Sequence, residues 1–175
     1  PPRSTQSRSS AASDVYKRQM SDTLRPGAAW WVKVICGFAL AVHAPAVVLG
    51  VWSGGARAAV PMVIGQAVTV VGAAVYGSAL MALRRGSGGI GRPVRLVTRG
   101  GLYRVVRHPM YLGDTLWTGG LALLAADAVS AALWIIASLA TVRQALREDH
   151  ALARQFPDAH ARWRVRTGLL LPRLK

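Results

Sequence analysis

The chain has 175 residues, a formal net charge of +15 from 22 Lys and Arg against 7 Asp and Glu, and a hydrophobic fraction of 52%. A nucleic-acid partner is set aside for this charge, because the bases cluster between long apolar runs, as in the inward loops of membrane proteins, instead of spreading along one soluble face. The lone Cys36 excludes an intrachain disulfide, and no Cys/His cluster has metal-ligand spacing, so no metal is expected.

In chain order, residues 1–19, PPRSTQSRSSAASDVYKRQ, are polar and Ser-rich without apolar periodicity. A disordered or non-native leader is expected there, since SSAASDVYKRQ reads like a translated sequencing adapter. Met20 is then the natural start, with a single domain over 20–175.

Residues 30–52 and 58–83 each exceed the ~20 residues that a helix needs to cross a bilayer. Trp30, Trp31 and Trp52 at the ends of the first run suit the interfacial belt, and Lys33 is expected to snorkel toward headgroups. His43 stands inside that run beside Pro45. A neutral imidazole near a carbonyl freed by the proline is the plain expectation, a functional ionisable group the alternative. On the second run Gln66 and Thr69 read as interhelical hydrogen-bond partners, and the Ala73 to Gly77 spacing as close helix packing. GSGGIG, residues 86–91, formally matches a dinucleotide-binding fingerprint, but it follows a membrane helix and not a strand, so a flexible loop is expected.

Two shorter apolar runs, 111–126 and 128–142, meet at Asp127 and predict an antiparallel hairpin with a tight turn. The connection before them carries Arg84, Arg85, Arg92, Arg95, Arg99, Arg104 and Arg107 with no acid, and the chain after Val142 is again Arg-rich. The connections at Ser53–Arg57 and at Asp127 are nearly free of bases. The positive-inside bias therefore predicts an all-α membrane bundle of four crossings, with the middle loop, both termini and a C-terminal helical segment in the cytoplasm of a bacterial inner membrane. After Arg143 the fourth helix is expected to continue with Leu146, Ala153 and Phe156 on one side. Pro157 should interrupt it before a short helix DAHARWRVR with Trp163 at the membrane surface, and LLLPRLK should return to the bilayer edge.

The hairpin also serves as a ruler. Tyr111 and Arg143 are equally far from Asp127 along the chain, ~24 Å at 1.5 Å per residue, so YRVVRHPMYLGD (103–114) and the acids of REDH (147–150) meet at one level. Pro109 predicts a helix start at His108 or Pro109. The free N–H groups of that start, with Arg107 and His108, suit a carboxylate or phosphate, while Glu148 and Asp149 suit an ammonium or ribose hydroxyls.

GLYRVVRHPMYLG together with REDHALARQFPDAHARWRVRTGLLLPRL resembles the isoprenylcysteine carboxyl methyltransferase and phospholipid methyltransferase superfamily of integral membrane enzymes, over about residues 100–173. The resemblance implies S-adenosylmethionine as cofactor and a lipid-like or small hydrophobic acceptor arriving from the bilayer. Arg107, His108, Tyr111 and Gly113 match the first motif, and Glu148 and Asp149 the second. Tyr103, Pro109 and Leu112 complete the candidate cofactor site, although Tyr103 and Tyr111 serve equally well as interfacial anchors. Asp149 is the candidate helper for an amine acceptor, with His150 beside it. Arg166, or Arg162, is the candidate partner of an anionic acceptor or of a headgroup. The sequence departs from the family pattern at Asp149, where a second Glu is usual, at Pro157, where Gly is usual, and at His160 and Trp163, where Tyr is common. Two alternatives from other classes remain: a sterol-type membrane reductase using NADPH, suggested by GDTLWTGG (113–120), and a non-catalytic membrane scaffold.

Overall fold

The structure, a computed structural model, describes residues 27–51, 59–86, 96–98 and 100–173. The expected leader, the Ser53–Arg57 connection, and the Gly-rich stretch beyond Gly86 with Arg92, Arg95 and Arg99 lie outside them.

Among the described residues five α-helices follow one another: α1 (Ala28–Val48), α2 (Ala59–Gly86), α3 (Pro109–Ala125), α4 (Ala128–Gln155) and α5 (Pro157–Arg166), with a 3-10 turn at Gly101–Arg104 before α3. Helix α1 stops four residues short of the expected run, and the chain leaves it through Gly50 at φ +76°. Helix α2 runs on to Gly86, because Arg84 and Arg85 are good helix formers and their charges suit a helix C-terminus. Three helices among the described residues are long and apolar enough to cross a membrane, Ala28–Val48, Pro61–Gly86 and Ala128–Gln155. Helix α3, with 17 residues, reaches ~26 Å and completes a bundle of about four membrane helices. Large apolar side chains such as Phe38, Val70 and Leu139 point outward, as they must where lipid replaces water.

Helix α2 packs chiefly on α3, and α1 on α4. The first of these contacts is a glycine seam. A β-carbon on Gly72 would lie 2.3 Å from the Trp117 nitrogen, one on Gly65 2.7 Å from the Leu124 nitrogen, and one on Gly113 2.5 Å from the Tyr76 nitrogen. Only glycine lets the backbones approach this closely. The expected Ala73 to Gly77 packing is corrected: Gly77 has open space around it and Ala73 is exposed, because the seam runs along the Gly65 and Gly72 face. Gln66 is likewise exposed, and the Thr69 hydroxyl donates to the Gly65 carbonyl of its own helix, so neither bridges helices by a hydrogen bond.

The hairpin turns as the sequence predicts. Ala126 takes the left-handed conformation at φ 51°, and Asp127 caps α4, its carboxylate accepting from the Ser130 N–H at 2.9 Å. His43 reaches the same carboxylate at 3.3 Å. At the other end Lys33 does not snorkel outward. Its ammonium pairs with Asp114 of α3 at 3.3 Å and lies 4.7 Å above the Tyr111 ring, since an opposite charge within reach on the facing helix outweighs a path to the headgroups.

Helix α4 has 28 residues, ~42 Å, and so outruns a ~30 Å hydrocarbon core. Along its final turns the packed face is Thr141, Gln144, Ala145 and Asp149, while Leu146 is exposed, contrary to the apolar stripe expected on Leu146, Ala153 and Phe156. Polar groups turn inward here because their partners are inside. Pro157 does end α4, at Phe156, and begins α5. Trp163 of α5 is buried against Ala79 and Tyr103, its indole N–H donating to the Tyr103 carbonyl at 2.8 Å. The segment after α5 folds back on the start of α3. Its backbone pairs in parallel with the chain before α3, the Arg107 and His108 N–H groups donating to the Gly168 and Leu169 carbonyls at 2.8 and 3.0 Å.

Candidate functional site

Helix α3 begins where the motif predicts, with His108 as N-cap and Pro109 as first helical residue, fully buried. Proline fits because it lacks the N–H that would be orphaned there. The hairpin then brings the start of α3 against the polar end of α4. His108 Nδ1 lies 4.0 Å from Glu148 Oε2, and the Tyr111 hydroxyl donates to Glu148 Oε1 at 2.5 Å. The two acids, adjacent in sequence, face different neighbours.

Asp149 closes a buried knot. Its Oδ1 accepts from Arg107 Nε at 2.8 Å and from His160 Nε2 at 2.9 Å, with His108 Nε2 at 3.7 Å. Accepting by the carboxylate fixes Nε2 as the protonated nitrogen of His160. Arg107 uses a second nitrogen on the Thr167 carbonyl at 2.7 Å. One guanidinium thus ties α4 to the segment after α5, and one imidazole ties α4 to α5. Arg107, His108, Asp149, His160 and Thr167 are all buried, so the charges must satisfy one another. The departures from the family pattern at 149 and 160 touch each other.

Glu148 is more open, its side chain 37% exposed against 12% for Asp149. Gln144, one turn earlier, donates to Glu148 Oε1 at 3.0 Å, and the His108 and Tyr111 rings stack at 5.7 Å. Two buried polar atoms nearby have no hydrogen-bond partner, Gln144 Oε1 beside this carboxylate and His108 Nε2, which faces Asp149 at 3.7 Å. Such orphans are costly in a closed interior and ordinary where a ligand completes them. Tyr103 is buried nearby, and its phenol is pushed up to about 12 by burial and then by the charges of Glu148 and Tyr76, so it stays a neutral donor.

Of the candidate residues, the structure brings Arg107, His108, Tyr111, Glu148 and Asp149 together. Leu112 is half-buried on α3, and Gly113 lies in the seam against Tyr76. Arg166 is exposed and lines a separate cleft, and His150 is exposed on α4. Sequence reasoning missed Gln144, Thr167 and the Lys33–Asp114 pair. Gln144 was within reach, standing four residues before Glu148 on the same helix face. The pairing of Thr167 with Arg107 across 60 residues has no local signal. Among the described residues no group of His, Cys, Asp and Glu could hold a metal ion.

The family model for phospholipid methyltransferase matches residues 62–159, more than half of the chain. The match takes in the glycine seam, the start of α3 and both acids, and ends before His160. No curated protein and no solved structure gives a match. The chain belongs to the phospholipid methyltransferase family.

Proposed function

We propose that this membrane methyltransferase transfers a methyl group from S-adenosylmethionine to a lipid-like acceptor, with its site at the cytoplasmic face. The observation that carries the reading is the Glu148 cluster, a partly open carboxylate held beside the unsatisfied buried oxygen of Gln144 at the level where α3 begins. When bound, S-adenosylmethionine supplies an electrophilic methyl group on a sulfonium. Its ammonium and ribose hydroxyls are donors, which matches Glu148 Oε2 and Gln144 Oε1, and the imidazole of His108 offers a further polar contact. Tyr111 and Gln144 hold Glu148 in place through Oε1, leaving Oε2 for the ligand.

Asp149 takes a different part in this reading. Its Oδ1 is committed to Arg107 and His160, so it acts as a positioning residue that keeps α5 and the following segment over the site. A carboxylate or thiolate acceptor then needs no general base, and an amine has to arrive neutral. The chain's contribution is proximity and exclusion of water, with apolar helix faces on the lipid side delivering the acceptor. The test is thermal stabilisation of the detergent-purified protein by S-adenosylhomocysteine against NADPH, followed by transfer of labelled methyl groups into a membrane-lipid extract. Stabilisation by S-adenosylhomocysteine and label in the lipid fraction are expected. Stabilisation by NADPH alone, or by neither, rejects the reading.

A further inference from the structure

A second charged site lies outside the Glu148 cluster. A cleft of about 750 Å³ is lined by Arg104, from the 3-10 turn, and by Arg162 and Arg166 of α5, with Thr98, Trp163 and Thr167 also in its wall. Arg162 and Arg166 are one helical turn apart and so share a face, while Arg104 comes from the 3-10 turn before α3. All three are exposed. Like charges at this spacing repel, and no described residue relieves them. Among the described residues no acid is within ion-pair distance of any of the three, and Asp158, a turn before Arg162 on the same helix, makes no pair with it. The contrast with Arg107 is direct, since its guanidinium is buried and consumed by Asp149 and the Thr167 carbonyl.

The wall between the arginines is already satisfied. The indole N–H of Trp163 donates to Tyr103, and the Thr167 hydroxyl donates to the Trp163 carbonyl at 2.8 Å. What the cleft still offers is three sets of guanidinium donors, the geometry that matches a phosphate. Its position fixes the source. Trp163 and Tyr103 pack on Ala79, Ala82 and Leu83, the end of the apolar span α2, just before Arg84 and Arg85. Exposed apolar side chains adjoin the same elements: Val105 follows Arg104, Val165 (70% exposed) precedes Arg166, and Leu171 (69% exposed) lies on the segment after α5. A cationic cleft with greasy flanks at the end of a membrane span meets phosphates at the bilayer boundary.

We infer that Arg104, Arg162 and Arg166 bind the phosphate group of an anionic phospholipid, holding α5 at the membrane surface. The inference does not depend on the methyl-transfer reading. The experiment uses the full chain in micelles of a neutral detergent, with phosphatidylglycerol doped in or with inorganic phosphate added to undoped micelles, and reads the unfolding midpoint. Phosphatidylglycerol is expected to raise the midpoint. Its apparent affinity should fall at least about ten-fold in the Arg162→Gln/Arg166→Gln double variant and remain in Arg84→Gln/Arg85→Gln, which removes two exposed charges at the end of α2 without touching the cleft. Stabilisation by inorganic phosphate, with nothing further from the lipid, keeps the phosphate site and overturns the lipid as its source. No shift with either, or equal losses in both arginine pairs, overturns the site. The S-adenosylhomocysteine shift of the wild-type protein is read in parallel, so failure of one inference leaves the other standing.

Discussion

Glu148 and Asp149 are consecutive residues of one helix, about 100° apart around its axis, and they end in opposite situations. Asp149 is enclosed by a guanidinium and two imidazoles contributed by two segments, Arg107 and His108 at the start of α3 and His160 of α5, whereas the more exposed Glu148 meets a phenol and an amide through one oxygen and leaves the other without a hydrogen bond. An acidic pair that reads in sequence as one functional unit is thus split by the helix into a scaffold half and a ligand-facing half. The division is physical. Burying a carboxylate is tolerable only with charged and hydrogen-bonding partners in place, and having such partners leaves little for a substrate.

The strongest way to break this contrast is to remove the scaffold half. Asp149→Ala leaves the Arg107 guanidinium buried without its counter-charge and His160 without its acceptor, and stability is expected to fall by about 3–5 kcal/mol. The loss is read as a lowered unfolding midpoint in detergent. Asp149→Asn, which keeps a hydrogen-bond acceptor, should lose less. An Asp149→Ala protein of wild-type stability that no longer binds S-adenosylhomocysteine would reverse the assignment, making Asp149 the ligand contact.

The ligand-facing half should respond the other way. Glu148→Gln still accepts from Tyr111 but loses the charge offered to an ammonium. Affinity for S-adenosylhomocysteine is expected to drop by about 1.5–3 kcal/mol, roughly ten- to more than hundred-fold, with stability changed by less than about 1 kcal/mol. Titration of the midpoint against ligand concentration separates the two quantities. Equal affinity in Glu148→Gln and wild type would leave the open carboxylate without a role.

How much of this was legible follows from what each feature depends on. The start of α3, the break at Pro157 and the Asp127 turn rest on local backbone chemistry, and the meeting of Tyr111 with Glu148 rests on counting along two helices of known rise. Those were readable. The different fates of Glu148 and Asp149 depend on what α5 and Thr167 bring to one side of α4, and a contact between residues 107 and 167 leaves no periodic trace. The burial of Trp163 was hidden for the same reason, because an aromatic near a span looks the same in sequence whether it faces lipid or the underside of its own bundle. The glycine seam had a signal, Gly65 with Gly72 and Gly113 with Gly120 at seven-residue spacing on two helices. It becomes distinctive only once those helices are known to be partners. Lys33 and Asp114 were two opposite charges inside separate apolar runs, an expensive placement that is relieved by pairing.

A third acid, at the far end of the hairpin, sharpens the comparison by having neither role. Asp127 caps α4 through the Ser130 N–H and hydroxyl and meets His43, yet it lies at a turn with solvent beside it. Burial alone would raise its pKa, but the Ser130 bonds and His43 outweigh that, and the net shift is downward. A group whose folded pKa is depressed contributes stability above its unfolded value, ~3.9 for Asp, and loses it as pH falls through the folded value. Asp127→Ala is therefore expected to cost about 1 kcal/mol near neutral pH, the usual worth of an N-cap, without altering S-adenosylhomocysteine affinity. The gap between variant and wild type should narrow as the pH is taken below about 4. A gap that persists unchanged in acid would mean that the carboxylate charge contributes nothing at this turn. A loss of ligand affinity would mean that the two ends of the hairpin are coupled through α3.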